Sequence, residues 1–381
     1  MYQINDGEIT VFGQTDGDTL KQMERTLEDE HAMQGVLCAD NHKGYAVPIG
    51  GVVAYREAVS PSGVGFDIGC GNKAVLTDMP GAELRTKIDS IMDDIWNTLS
   101  FGVGRKNNES VDAELFDSPV WTEPYAKALK DKARQQLGTI GSGNHYVDLF
   151  TDEQDRVWIG VHFGSRGFGH GVATHFLKLG GGKDGMDVAP LVLALDSEIG
   201  QDYVQGMQLA GEYAYAGRNW VCARVAQLLG AQIVEEVHNH HNYAWSETHN
   251  GVEYMVIRKG ATPAFPGQRG FIGGSMGEDA VIVEGVDSEV SKTALYSTVH
   301  GAGRTMGRNE AKRKIKPEEM NEWLRQKGVT LRGGGLDESP QAYKRLPEVL
   351  QHHEGTIRIL HTLKPVGVAM AGPHEFDPYK D

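Results

Sequence analysis

The 49 glycines of this chain constrain it more than any other feature. They are well above the roughly 7% of ordinary proteins, yet they form no repeat and no low-complexity tract. They bracket short segments in which histidine, cysteine, asparagine and aspartate recur. Five stand out: GFDIGCG at 65–71, GSGNHYVD at 141–148, VHFGSRGFGH at 161–170, VHNHHNY at 237–243 and STVHGAGR at 297–304. Glycine reaches backbone conformations closed to other residues and lets main chain approach a ligand closely. Such segments belong at strand ends and in turns, where binding residues concentrate.

The rest of the chain supplies a frame for them. Its 381 residues can bury a sizeable core, and 40% hydrophobic with 23% charged residues is ordinary for a globular protein. Amphipathic spacing predicts helices over 19–30, 82–99, 196–229, 317–326 and part of 341–362. Leu84, Ile88, Ile91, Ile95 and Leu99 form one stripe, Tyr203, Met207, Ala210 and Ala214 another, with Gly230 as a stop. Runs rich in β-branched residues predict strands at 45–53, 73–76, 157–161, 254–257 and 281–283, while 105–118 reads as a surface loop. The fold class expected is mixed α+β, packed β-sheets flanked by helices, in one domain over 1–381 with 371–381 as a tail.

Three cysteines, Cys38, Cys70 and Cys222, are too few for a disulfide framework and point to a reducing compartment. The first residues have neither a basic start nor an apolar run, and no stretch approaches the ~18 apolar residues of a membrane span, so a cytoplasmic location is expected. A net charge of −15 weighs against general affinity for nucleic acid. The exception is local: Arg304, Arg308, Lys312, Arg313, Lys314 and Lys316 fall within one short span, either a basic patch or a solvated helix face.

Read singly, a buried cysteine on a tight turn or a satisfied histidine explains each motif. Read jointly, Asp67, Cys70, His145, His162 and His241 offer one carboxylate, one thiolate and three imidazoles, each histidine following or ending an expected strand. That mixed donor set suits Mn²⁺, Zn²⁺, Fe²⁺ or Co²⁺ rather than Ca²⁺ or Mg²⁺ alone, and the spacing is not that of a zinc finger. In the fifth segment His300 precedes GAGR. Glycine-rich backbone can cradle phosphate oxygens and Arg304 can neutralise them. A histidine there can be a ligand, a general acid or a phosphoramidate-forming nucleophile.

In combination and in this order, GFDIGCG, GNHYVD, HFGSRGFGH, HHNYA, RKGAT, GGSMG, HGAGR and AYK resemble the RtcB-type RNA ligases, over about residues 40–368. The resemblance implies a GTP-dependent enzyme that joins RNA 3′-phosphate or 2′,3′-cyclic phosphate ends to 5′-hydroxyl ends, in RNA repair or tRNA splicing. It implies two Mn²⁺ ions held by Asp67, Cys70, His145, His162 and His241, with Cys70 bridging, and His300 as the residue that takes GMP from GTP. Asn144, Ala302 and Gly303 match groups around the guanylate phosphate. Tyr146, Asp148, Ser275 and Tyr343 match the nucleotide pocket, and Arg166, Arg304 and Arg308 match positions suited to RNA phosphates. Some members of the family use an archease-type activator.

Three positions depart from the family pattern. Met370 stands where a lysine is expected, with Lys380 in the tail as a substitute; Asp148 stands for glutamate and Tyr146 for phenylalanine. These point to a divergent paralogue with altered guanine selectivity. The rival readings are a two-metal phosphoesterase or nucleotidyl hydrolase and a non-catalytic RNA-binding paralogue.

Overall fold

The computed structural model describes residues 1–373 and 375. Most strands fall into two sheets. A six-stranded sheet runs in the order Tyr2–Ile4, Ile9–Val11, Ala32–His42, Ile49–Tyr55, Val252–Lys259, Asn242–His249. A larger sheet runs Ile233–His240, Gly71–Pro80, Arg156–Phe163, Tyr146–Thr151, Ile357–Met370, Ala280–Gly285, Arg269–Ile272, with Thr330–Arg332 pairing parallel to Ile357–Met370. The larger sheet curls until its two end strands meet. Asn239 Oδ1 accepts the Phe271 N–H at 3.0 Å, and Asn72 Nδ2 donates to the Phe271 carbonyl at 2.8 Å. Side-chain amides thus satisfy edge groups that would otherwise invite another strand.

Register decides where the chemistry goes. In the larger sheet Gly71 pairs with both His240 and Phe163, and His162 pairs with both Asn72 and Tyr146. Antiparallel neighbours therefore bring residues 70, 145, 162 and 241 to one rim, although up to 171 positions separate them in sequence (241 − 70). The helix Glu198–Leu229 underlies that rim. Ser197 caps its start by accepting the Gly200 N–H, and Gly230 ends it at φ 67°. Tyr203, Met207, Ala210 and Ala214 are buried, as their spacing required. The helix Gly81–Thr98 buries Leu84, Ile91 and Ile95 in the same way.

Several sequence expectations shift. The strand expected at 45–53 is Ile49–Tyr55, because Ala46 takes a positive φ and Pro48 lacks an N–H for the ladder. The helix expected within 341–362 shrinks to Leu346–Gln351, and from Ile357 the chain is a strand held between two neighbours. Pairing on both sides overrides any helical period there. Segment 161–170 is not all loop: a helix, Arg166–Leu179, begins inside it. Its Gly167, Gly169 and Gly171 each cost about 1 kcal/mol relative to alanine, and close approach explains them, since a Cβ at Gly169 would lie 1.8 Å from Ser165 Oγ. The loop at 105–118 holds a short 3-10 turn, Glu114–Asp117, and buries Phe116. Lys380 and most of the expected tail lie outside the described residues. No helix among the described residues is long and apolar enough to cross a membrane.

Candidate active site

The rim of strand ends carries a tight group of donor atoms. Cys70 Sγ lies 3.6 Å from His145 Nε2 and 3.3 Å from His162 Nε2, and the three fall within 4.8 Å of one another. Asp67 Oδ2 is 3.1 Å from His145 Nε2. Gly164 leaves room for that carboxylate, for a Cβ there would stand 2.2 Å from Asp67 Oδ1. His241 joins through its ring, 5.0 Å from that of His162. His162 lies at the end of a strand and His241 directly follows one, as expected, but His145 precedes its strand instead of following one.

Local contacts set charge. His145 Nδ1 lies 3.1 Å from the Ile140 carbonyl oxygen, and its Nε2 faces Asp67 and Cys70. Arg166 Nη1 stands 3.1 Å from His145 Nδ1. Burial, then neighbouring imidazoles, pushes His162 and His241 well below the usual histidine range, so both are neutral. Burial and the adjacent Asp67 push the Cys70 thiol well up. Burial also opposes charge on Asp67, but His145 and Arg166 outweigh it and hold the carboxyl well below its usual range. His241 Nδ1 is buried without a hydrogen-bond partner. An orphaned imidazole nitrogen beside a thiol, a carboxylate and two further imidazoles fits a divalent transition ion.

Next to this group lies His300, its ring 4.9 Å from that of His241. Sequence reasoning did not find its partner. Asp40, fully buried, sits 2.6 Å from His300 Nδ1 and accepts the backbone N–H groups of His300 at 3.0 Å and Gly301 at 3.3 Å. Burial opposes charge on Asp40, but the His300 ring and N–H prevail and hold its carboxyl below the usual range. The available signal was a lone carboxylate at the end of the apolar run GVLCAD.

His300 opens into a cleft of about 850 Å³. Asn144, Tyr146, Asp148, Ser275, Ala302, Gly303, Tyr343, Arg304 and Arg308 all line it, so every expected nucleotide position and two of the three expected phosphate positions share one wall system. Arg166 lies instead against His145. The arginines have protein partners. Arg304 Nη1 donates to Tyr343 Oη at 2.8 Å and Glu338 at 3.3 Å, and its Nη2 donates to the Asp337 carbonyl at 2.6 Å. Arg308 is bound to Glu338 and faces Asp337 at 3.6 Å. Glu338 was also missed by sequence reasoning.

A family model described as tRNA-splicing ligase RtcB matches residues 29–123 and 121–371. The chain belongs to the RtcB family. It is 32% identical over 360 residues to the RNA-splicing ligase RtcB1 of Escherichia coli, covering 86% of this chain and 87% of that one. It is 31% identical to the tRNA-splicing ligases RtcB of Thermococcus kodakarensis and Archaeoglobus fulgidus, each over 421 residues, 88% of this chain and 87% of theirs. Against the RtcB pattern, the departures cluster at one end of the cleft. Met370 pairs with Tyr146 across neighbouring strands, and Asp148 pairs with Val368 two residues along. Asp148 Oδ1 is buried without a partner, and burial pushes its carboxyl well up.

Proposed function

We propose that this RtcB-family chain is an RNA ligase that joins a 3′-phosphate end to a 5′-hydroxyl end with GTP as co-substrate. The Asp40–His300 pair carries the reading. A carboxylate only accepts, so the 2.6 Å bond keeps the proton on Nδ1 and leaves a lone pair on Nε2. That lone pair attacks the α-phosphorus of GTP. An N–P bond forms, the bond to the β-phosphate bridge breaks, and pyrophosphate leaves. Positive charge developing on the ring meets the Asp40 carboxylate, as in other carboxylate-oriented histidines.

An oxygen of the RNA 3′-phosphate then attacks the guanylate phosphorus, and the N–P electron pair returns to His300. The product is RNA-3′-pp-5′-G. The 5′-hydroxyl oxygen of the second RNA next attacks the RNA phosphorus, its proton is released, and GMP departs. A 2′,3′-cyclic phosphate is first opened by water to the 3′-phosphate. Asp67, Cys70, His145, His162 and His241 would hold two Mn²⁺ ions, and such ions would supply charge neutralisation among crowded phosphate oxygens. Asn144, Ala302 and Gly303 cradle the guanylate phosphate, while Tyr146, Asp148, Ser275 and Tyr343 bind the nucleoside. Arg166, Arg304 and Arg308 take RNA phosphates, Arg304 and Arg308 by exchange with Glu338. The reading treats 1–381 as one catalytic unit in the cytoplasm, where Cys38, Cys70 and Cys222, all free and buried, stay reduced. An archease-type activator is a partner in keeping with the family.

The test is covalent labelling with α-labelled GTP and Mn²⁺. Wild type is expected to retain acid-labile label, and His300→Ala to lose it while keeping its metal content. Label on His300→Ala defeats the nucleophile assignment. GTP hydrolysis with no trapped label in wild type favours a phosphoesterase instead.

A further inference from the structure

Arg218 lies on the helix Glu198–Leu229, outside the cleft, and is fully buried. Its Nη1 donates to the Gly69 carbonyl at 2.8 Å and the Phe163 carbonyl at 2.6 Å. Its Nη2 lies 2.9 Å from His240 Nδ1, and its Nε donates to His238 Nε2 at 2.8 Å. Three of these four partners are sequence neighbours of a candidate ligand: Gly69 precedes Cys70, Phe163 follows His162, and His240 precedes His241. They come from three different segments that meet only at the rim.

The bond directions are determined. His240 Nδ1 also lies 3.0 Å from the Gly69 oxygen. Arginine only donates, so Nδ1 accepts from Nη2 while the Gly69 oxygen accepts from Nη1, and the His240 proton sits on Nε2. A guanidinium is a flat fork with fixed angles between its N–H groups. Satisfying all four partners therefore fixes the three segments relative to one another.

A purely structural clamp does not need a charge here. A buried guanidinium with no carboxylate on it among the described residues is costly. Burial lowers its pKa to about 10, with Cys70, Tyr215, Asp67 and Cys222 acting the other way, so it stays charged at neutral pH. Two of those four groups belong to the donor cluster.

We propose that Arg218 is the positioning residue of the metal centre: its fork sets Gly69, Phe163 and His240 so that Cys70, His162 and His241 converge on one point. The proposal rests on the reading that this cluster binds a divalent ion. Losing an outer partner of metal ligands of this kind weakens binding by about 10- to 100-fold.

The test titrates Co²⁺ into the metal-free full-length protein, following affinity and the thiolate-to-cobalt absorption band in wild type, Arg218→Lys and Arg218→Met. Both variants are expected to keep far-ultraviolet circular dichroism and a cooperative melt, to bind Co²⁺ about 10- to 100-fold more weakly, and to show an altered band. An ammonium keeps the charge but not the fork, so Arg218→Lys is expected not to rescue. Wild-type affinity and spectrum in both variants overturn the proposal. Full rescue by lysine overturns it too, by assigning the role to charge. Loss of fold in both assigns Arg218 to the core and has the same effect. Failure of wild type itself to bind Co²⁺ with a thiolate band strikes at the metal reading, which separates that outcome from the rest.

Discussion

On one side of His300, Cys70, His145 and His162 bring three electron-pair donors within 4.8 Å of one another, and His241 leaves a buried nitrogen unpartnered. On the other side, Arg304 and Arg308 are matched against Asp337, Glu338 and Tyr343. Both regions are polar and largely buried, but their arrangements differ in kind. The first gathers donor atoms that could hold a cation. The second is internally neutralised, its two arginines matched by two carboxylates. Substitutions in the first region should therefore be read in metal binding, and in the second in stability.

The largest effect tests the first half of that contrast. Cys70→Ala is expected to lose metal and guanylylation together, by more than ~10³-fold, beyond what an outer partner costs. Metal analysis and GTP labelling check it, and retained metal would erase the distinction between the two regions. Next, Arg304→Ala removes one of the two arginines on Glu338 together with the bonds to Tyr343 Oη and the Asp337 carbonyl, leaving those acceptors short of a donor at a cost of roughly 1–3 kcal/mol. Denaturant unfolding should show that loss with metal content unchanged. An unaltered unfolding midpoint would mean the arginines are not held by their acids.

A third prediction concerns the strand that carries Asp40 to the boundary between the regions. His353 Nε2 accepts the Ala39 N–H at 3.1 Å, and burial above all lowers its pKa to about 4. The folded state thus holds this ring neutral where the unfolded chain, near 6.5, takes up a proton. Its contribution is present above pH 6.5 and lost as pH falls towards 4, on the order of 3 kcal/mol across that window. His353→Gln should flatten the stability profile there. The smallest effect is expected on the solvent side of the basic span. Lys314 pairs with Glu310 one helical turn away and is largely exposed, so Lys314→Ala should leave the unfolding midpoint unmoved.

The candidate site was legible where chemistry and glycine coincide. Asp67, Cys70, His145, His162, His241 and His300 stand in short motifs, and a mixed donor set is recognisable before any contact is known. Asp40, Glu338 and Arg218 were not legible because their importance lies in what they touch. Asp40 is 260 residues from His300, and an arginine within a helical stripe looks solvated until the helix is packed. Elements followed the same division. The helices Glu198–Leu229 and Gly81–Thr98 declare themselves by period, whereas Ile357–Met370 is a strand by virtue of two partners far away in sequence.

The rim of strand ends has a consequence for biosynthesis. Its donors come from residues 67 to 241, and His300 follows. A chain emerging from the ribosome cannot bring these donors together until His241 has cleared the exit tunnel, nor complete the cleft until Met370 has joined it. Copies that stop short of that residue thus lack part of the cleft wall, and the order of translation itself delays its completion.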